Sequence, residues 1–183
     1  MDALRYRSDF VTSTFEDREC LASEIYAIEA LFLPKSDAQN AAIQAACEAA
    51  QRSGDNGLLG RILSLRARVE IVEGRLTQAT ETVERALAAF GSLNPTDQMN
   101  LSGPFAEAWR VAGNVQLHQG KVVAGLNLLE KAVAFAERGL SSRIPDERGF
   151  SAIPTTSAVV RCLNNLGFAL IAINEMKSGL AVL

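Results

Sequence analysis

Histidine is nearly missing from this chain: His118 is the only one among 183 residues. Its isolation excludes a metal site built on two histidines and leaves a single imidazole for acid–base work. Cysteine is scarce as well. Cys20, Cys47 and Cys162 are odd in number and far apart, which argues for buried free thiols and against a disulfide framework or zinc site. Positive charge is not in excess either, since the net charge of -3 gives no general reason to expect nucleic acid as a direct partner. No stretch reaches the roughly 18 apolar residues of a membrane span. The opening Met1-Asp2-Ala3-Leu4-Arg5-Tyr6-Arg7 lacks the apolar core of a signal peptide. The expectation is a cytoplasmic protein with no membrane contact.

What the chain does hold is alanine, 28 of them against five prolines and two tyrosines. Alanine loses no rotamer entropy in a helix and lets backbones approach closely, so this composition predicts an all-α fold. With 48% hydrophobic and 21% charged residues, a single domain can bury a real core. An internal ruler then appears. Gly113, Gly120, Gly125 and Ala132 are spaced seven, five and seven apart, and the same gaps recur in Ala67, Gly74, Ala79 and Ala86 and in Ala30, Asp37, Ala42 and Ala49. A fourth copy opens with Gly167, Asn174 and Gly179. Two helices packed antiparallel need small residues where their axes come closest and a turn residue that tolerates positive φ between them. Asp37, Gly74, Gly120 and Asn174 are expected to be those turns. Trp109, Val123, Leu126, Leu129 and Val133, and in the preceding copy Leu63, Leu65, Ile71, Val83 and Leu87, are the larger apolar residues expected on the packed face.

Trp109-Arg110-Val111-Ala112-Gly113, followed by Gly120, Leu129 and Ala132, resembles a tetratricopeptide repeat: aromatic, small, turn, then the small residues of a second helix. Leu163-Asn164-Asn165-Leu166-Gly167-Phe168 is similar. Two glycines, Gly125 and Gly179, stand where that family prefers alanine, and the repeat spacing is irregular. The resemblance implies an α-solenoid of antiparallel helix pairs in a right-handed superhelix. Residues 1–19 would form an amino-terminal capping segment, and residues 20–183 a repeat domain with units at about 20–53, 56–90, 105–138 and 156–183, the last incomplete. Turn-rich connections are expected at Gly91 to Pro104 and Gly139 to Thr155, with Thr155, Thr156 or Ser157 capping the next helix. Because a solenoid needs a polar final cap, the chain is expected to continue past Leu183, or a homodimer or interdomain contact to cover Leu180, Val182 and Leu183.

Motifs for catalysis are lacking. Ser53-Gly54-Asp55-Asn56-Gly57-Leu58-Leu59-Gly60 has no following Lys-Ser/Thr and reads as a helix stop and start. Glu70, Glu73, Glu81 and Glu84 suit a solvated helix face. No catalytic residue, metal or cofactor is nominated, and His118 is expected at a helix end, where a cation suits the dipole.

In the resembled family the first helix of each pair lines a concave surface that holds peptides or partner proteins. The matching register here selects Arg61, Ser64, Arg68 and Ile71, then Glu107, Arg110, Asn114 and Leu117 with His118 adjacent, then Arg161, Asn164, Phe168 and Ile171. Arginine pairs bidentately with carboxylates, so a protein or peptide with acidic groups is the expected partner. Arg110 with Asn114 resembles one arm of the dicarboxylate clamp of chaperone-binding members, but Phe168 and Asn164 stand where its other polar groups would be. A second reading of the arginines is that they are solvated or paired with acids such as Glu107 on neighbouring helices. At the level of function the resemblance implies an interaction scaffold. The alternative is a sensory or regulatory domain of a larger bacterial signalling protein, joined to a cyclase such as a diguanylate cyclase or to a transcriptional regulator.

Overall fold

The fold is taken from a computed structural model that describes residues 15–32, 37–141 and 152–172. All regular structure among the described residues is helical: α1 (Phe15–Phe32), α2 (Asp37–Ser53), α3 (Asn56–Val72), α4 (Leu76–Gly91), α5 (Pro95–Asn100), α6 (Ser102–His118), α7 (Val122–Ser141) and α8 (Ala152–Ala172).

The helix ends follow from local chemistry. Asp55 caps α3, its Oδ1 accepting the Leu58 N–H at 2.9 Å, just after Gly54 has ended α2 at φ +74°. Gly74 and Gly120 reverse the chain at φ 76° and 75°, a region that carries no Cβ penalty only for glycine. Around these two turns the backbone repeats itself bond for bond. Gly74 N–H donates to Ile71 O and Arg75 N–H to Glu70 O, and 46 residues later Gly120 N–H donates to Leu117 O and Lys121 N–H to Gln116 O. The following helices also start alike, with Ala79 N–H on Arg75 O and Gly125 N–H on Lys121 O.

Packing joins α1 to α2, α3 to α4, and α6 to α7; α2 then lies on α3, α4 on α6, and α7 on α8. The first members also touch one another, α1 with α3, α3 with α6, and α6 with α8. The small residues of the sequence ruler sit at these contacts. Ala30, Ala67, Gly113, Gly167, Ala42, Ala79, Gly125, Ala49, Ala86 and Ala132 are all buried. A Cβ on Gly113 would meet Leu129 Cγ at 2.8 Å and the Gly125 carbonyl at 3.0 Å, and one on Gly125 would meet the Gly113 carbonyl at 3.0 Å. The two glycines thus mark the crossing of α6 and α7. Larger side chains fill the rest: Phe105 stacks on Phe90 at 5.0 Å between centroids and meets Phe135 edge-on at 4.7 Å, tying α4, α6 and α7 together.

Several expectations are corrected. Asp37 is the first residue of α2, an acid placed well against the helix dipole, and not a positive-φ turn. Val123 is 73% exposed, because it lies two residues, or about 200°, from the packed Gly125. Between Gly91 and Pro104 the chain forms α5 and the first turn of α6 rather than an open loop. Thr155, Thr156 and Ser157 lie inside α8, which starts at Ala152 and holds Pro154 in its first turn, where the missing N–H costs nothing. Residues 1–14 of the expected capping segment, Asn174, Gly179, Leu180, Val182 and Leu183 lie outside the described residues, as does most of the connection from Gly139 to Thr155. Among the described residues no helix is long and apolar enough to cross a membrane.

Candidate functional site

Three helices, α3, α6 and α8, converge on one carboxylate. Glu107, on the second turn of α6, receives Arg110 from one turn further along the same helix in a forked arrangement, Nε to Oε2 at 2.9 Å and Nη2 to Oε1 at 2.5 Å. Arg68 of α3 brings Nη1 to 3.7 Å from Oε1, and Arg161 of α8 brings Nε to 3.4 Å from Oε2. Arg110 is buried, while Arg68 and Arg161 are half exposed.

Glu107, Arg68 and Arg161, but not Arg110, border an open cleft of about 470 Å³, lined also by Arg61, Ser64, Gly103 and Pro104. Arg61, one edge of the cleft, pairs with Glu24 of α1 at 3.0 Å, and both are about half exposed. Ser64 donates its hydroxyl to the Gly60 carbonyl at 2.8 Å. The register along α3, α6 and α8 therefore brings Arg61, Ser64, Arg68, Glu107 and Arg161 to one place, with Arg110 bonded to Glu107. Asn114 accepts from Asn165 Nδ2 at 2.9 Å, linking α6 to α8. His118 ends α6 and is exposed, and Asn164 and Phe168 are exposed on α8; none of the three borders the cleft.

Electrostatics follow the geometry. Burial works against the charge of Glu107, but the bonds and charge of Arg110, then the charges of Arg161 and Arg68, outweigh it and hold its carboxyl below the ordinary value. Burial likewise opposes the Arg110 cation, and Glu107 more than compensates. Cys162 faces the Ala106 carbonyl, and its thiol is pushed up to about 12, by burial first and by the Glu107 charge second. Such a thiol stays protonated and is a poor nucleophile at neutral pH.

A second polar group escaped the sequence reading. Glu70 is 1% exposed instead of lying on a solvated face; Arg66 donates to its Oε1 at 2.9 Å and to Gln44 Oε1 at 2.7 Å. Cys47 lies beside this pair, its thiol raised by burial against the opposing charge of Arg66. The one available signal was the Arg66, Glu70 spacing of four, which also fits an exposed pair. Among the described residues no group of three or more His, Cys, Asp or Glu is placed to hold a metal ion. No protein-family model, curated protein or solved structure matches the chain.

Proposed function

We propose that this chain is a tetratricopeptide-like α-solenoid that serves as an interaction scaffold, not an enzyme, and binds an acidic segment of a partner protein across α3, α6 and α8. The repeated turn geometry at Gly74 and Gly120 supports the solenoid reading, as does the order of contacts, in which each pair leans on the next and the first helices line up. One observation carries the binding reading: guanidinium groups from three helices are gathered around a single carboxylate at the wall of an open cleft. Three guanidinium groups around one carboxylate leave a local excess of positive charge, which a second carboxylate at the cleft offsets. Arginine forks suit carboxylates, and an extended peptide laid over the cleft meets Arg68 from α3 and Arg161 from α8.

The test is a pull-down with wild type and an Arg68→Glu, Arg161→Glu double variant, each checked for native helicity by circular dichroism. Acid-rich partner proteins should be retained by wild type and lost by the variant. Equal recovery of the same proteins by both would remove the basis for this groove as the binding face.

A further inference from the structure

Glu107 does not hold its three arginines equally. Arg110 meets both carboxylate oxygens with short, forked bonds and is nearly sequestered from water. Arg68 reaches only to 3.7 Å, beyond hydrogen-bond distance, and Arg161 only to 3.4 Å, one beside each oxygen, and both guanidinium groups stand half exposed at the cleft. A carboxylate has about four lone-pair sites, of which Arg110 fills two. The remaining two are shared loosely with groups that water also reaches, and such contacts are weak. Among the described residues Arg68 has no hydrogen-bond partner; its one described ion pair is this long one.

We propose that Glu107 is a resident competitor in the binding groove: it presents the carboxylate that an acidic partner would present, shares Arg68 and Arg161 at the cleft, and gives up its contacts with them to the partner's carboxylate while remaining on Arg110. This inference rests on the groove reading above and refines it. Arg68 and Arg161 are the residues that contact the partner, Arg110 is a positioning residue that acts through Glu107, and Glu107 sets how strongly an anion must bind to enter. The cleft, of about 470 Å³, has room for an acidic side chain and the peptide bonds beside it. Because the competitor is itself a carboxylate in the fork geometry that arginine favours, the occupant to which the proposal commits is an acidic peptide segment.

The experiment uses the full chain and a fluorescein-labelled hexaglutamate peptide as probe, read by fluorescence anisotropy at low ionic strength, with inorganic phosphate and a thymidine oligonucleotide as competitors. Glu107→Gln keeps the shape and removes the charge that opposes the incoming anion. A unit charge within several ångströms of the probe's carboxylate is worth enough, in a mostly aqueous setting, to tighten binding roughly fivefold to tenfold. Unchanged or weaker binding by Glu107→Gln overturns the competitor role. If Arg68→Ala still loses affinity in that case, the groove reading stands without it. If Arg68→Ala binds like wild type, or neither wild type nor Glu107→Gln binds the probe, both readings fall. Displacement of the probe by the oligonucleotide at lower concentration than by unlabelled hexaglutamate overturns the peptide assignment. Should Glu107→Gln lose its helical signal, Glu107→Asp serves instead, since its carboxylate withdraws from Arg68 and Arg161 by one methylene. A gain in affinity supports the proposal, and no gain overturns it.

Discussion

Glu107 is paired with three arginines, and its titration should be visible in stability. Its folded carboxyl titrates below the ordinary 4.5 because Arg110, Arg161 and Arg68 outweigh the cost of burial. The native state therefore releases this proton more readily than the unfolded chain does. The resulting stabilisation is fully present above about pH 4.5 and is lost as pH falls through the lower folded value. The difference in melting temperature between wild type and Glu107→Gln should accordingly be largest above pH 4.5 and shrink under acid conditions. A difference that stays constant from neutral pH down to pH 3 would show that the arginines do not hold this carboxylate ionised. Cys162 and Cys47, both raised by burial, remain protonated through this range and do not confuse the measurement.

Between helices, the decisive contact is the one without side chains. Gly113 and Gly125 bring the backbones of α6 and α7 together, each lying where the other's carbonyl would meet a Cβ at 3.0 Å. Backbone cannot move aside as a flexible side chain can. Gly113→Ala should therefore cost about 1–3 kcal/mol, with Gly113→Leu worse, measured by chemical denaturation. An unchanged midpoint would mean that α6 and α7 separate without penalty. The same scale explains the missed helix α5. Asn94-Pro95-Thr96-Asp97 reads as turn residues, yet Asn94 Oδ1 accepts the Asp97 N–H at 2.9 Å and Pro95 occupies the first helical position, so the run is a helix start.

For the whole molecule, Phe105 is the joint. Its ring touches Phe90 of α4 on one side and Phe135 of α7 on another, and stacks on Trp109 at 6.1 Å. On the solenoid reading proposed above, stability is close to a sum of units and interfaces. Phe105→Ala should cost about 3–5 kcal/mol, comparable to the whole stability of a small domain. It should also uncouple the unfolding of α6 to α8 from that of α1 to α4. Denaturation followed by Trp109 fluorescence and by far-ultraviolet circular dichroism should coincide in wild type and separate in the variant. A single shifted transition by both probes would show that the stack is held as one unit by other contacts.

The chain alone determined the helical class, the reversals at Gly74 and Gly120, and the burial of the ruler's small residues from Ala30 to Gly167, because helical period and side-chain size are local properties that leave a spacing in the sequence. Register along the helices placed Arg61, Arg68 and Arg161 where they line the cleft, but it placed Arg110 there too, and Arg110 is buried. Pairing of the arginines with Glu107 was one of two readings open in the sequence, and tertiary structure decided for it, bringing Arg68, Arg110 and Arg161 together on that carboxylate; it alone decided that Glu70 is buried with Arg66 and that Val123 faces water. Arg161 and Glu107 are 54 residues apart, and charges separated so far in the chain leave no periodic trace. Only the crossing of the helices sets the distances between them, and an ion pair's partners are chosen by distance.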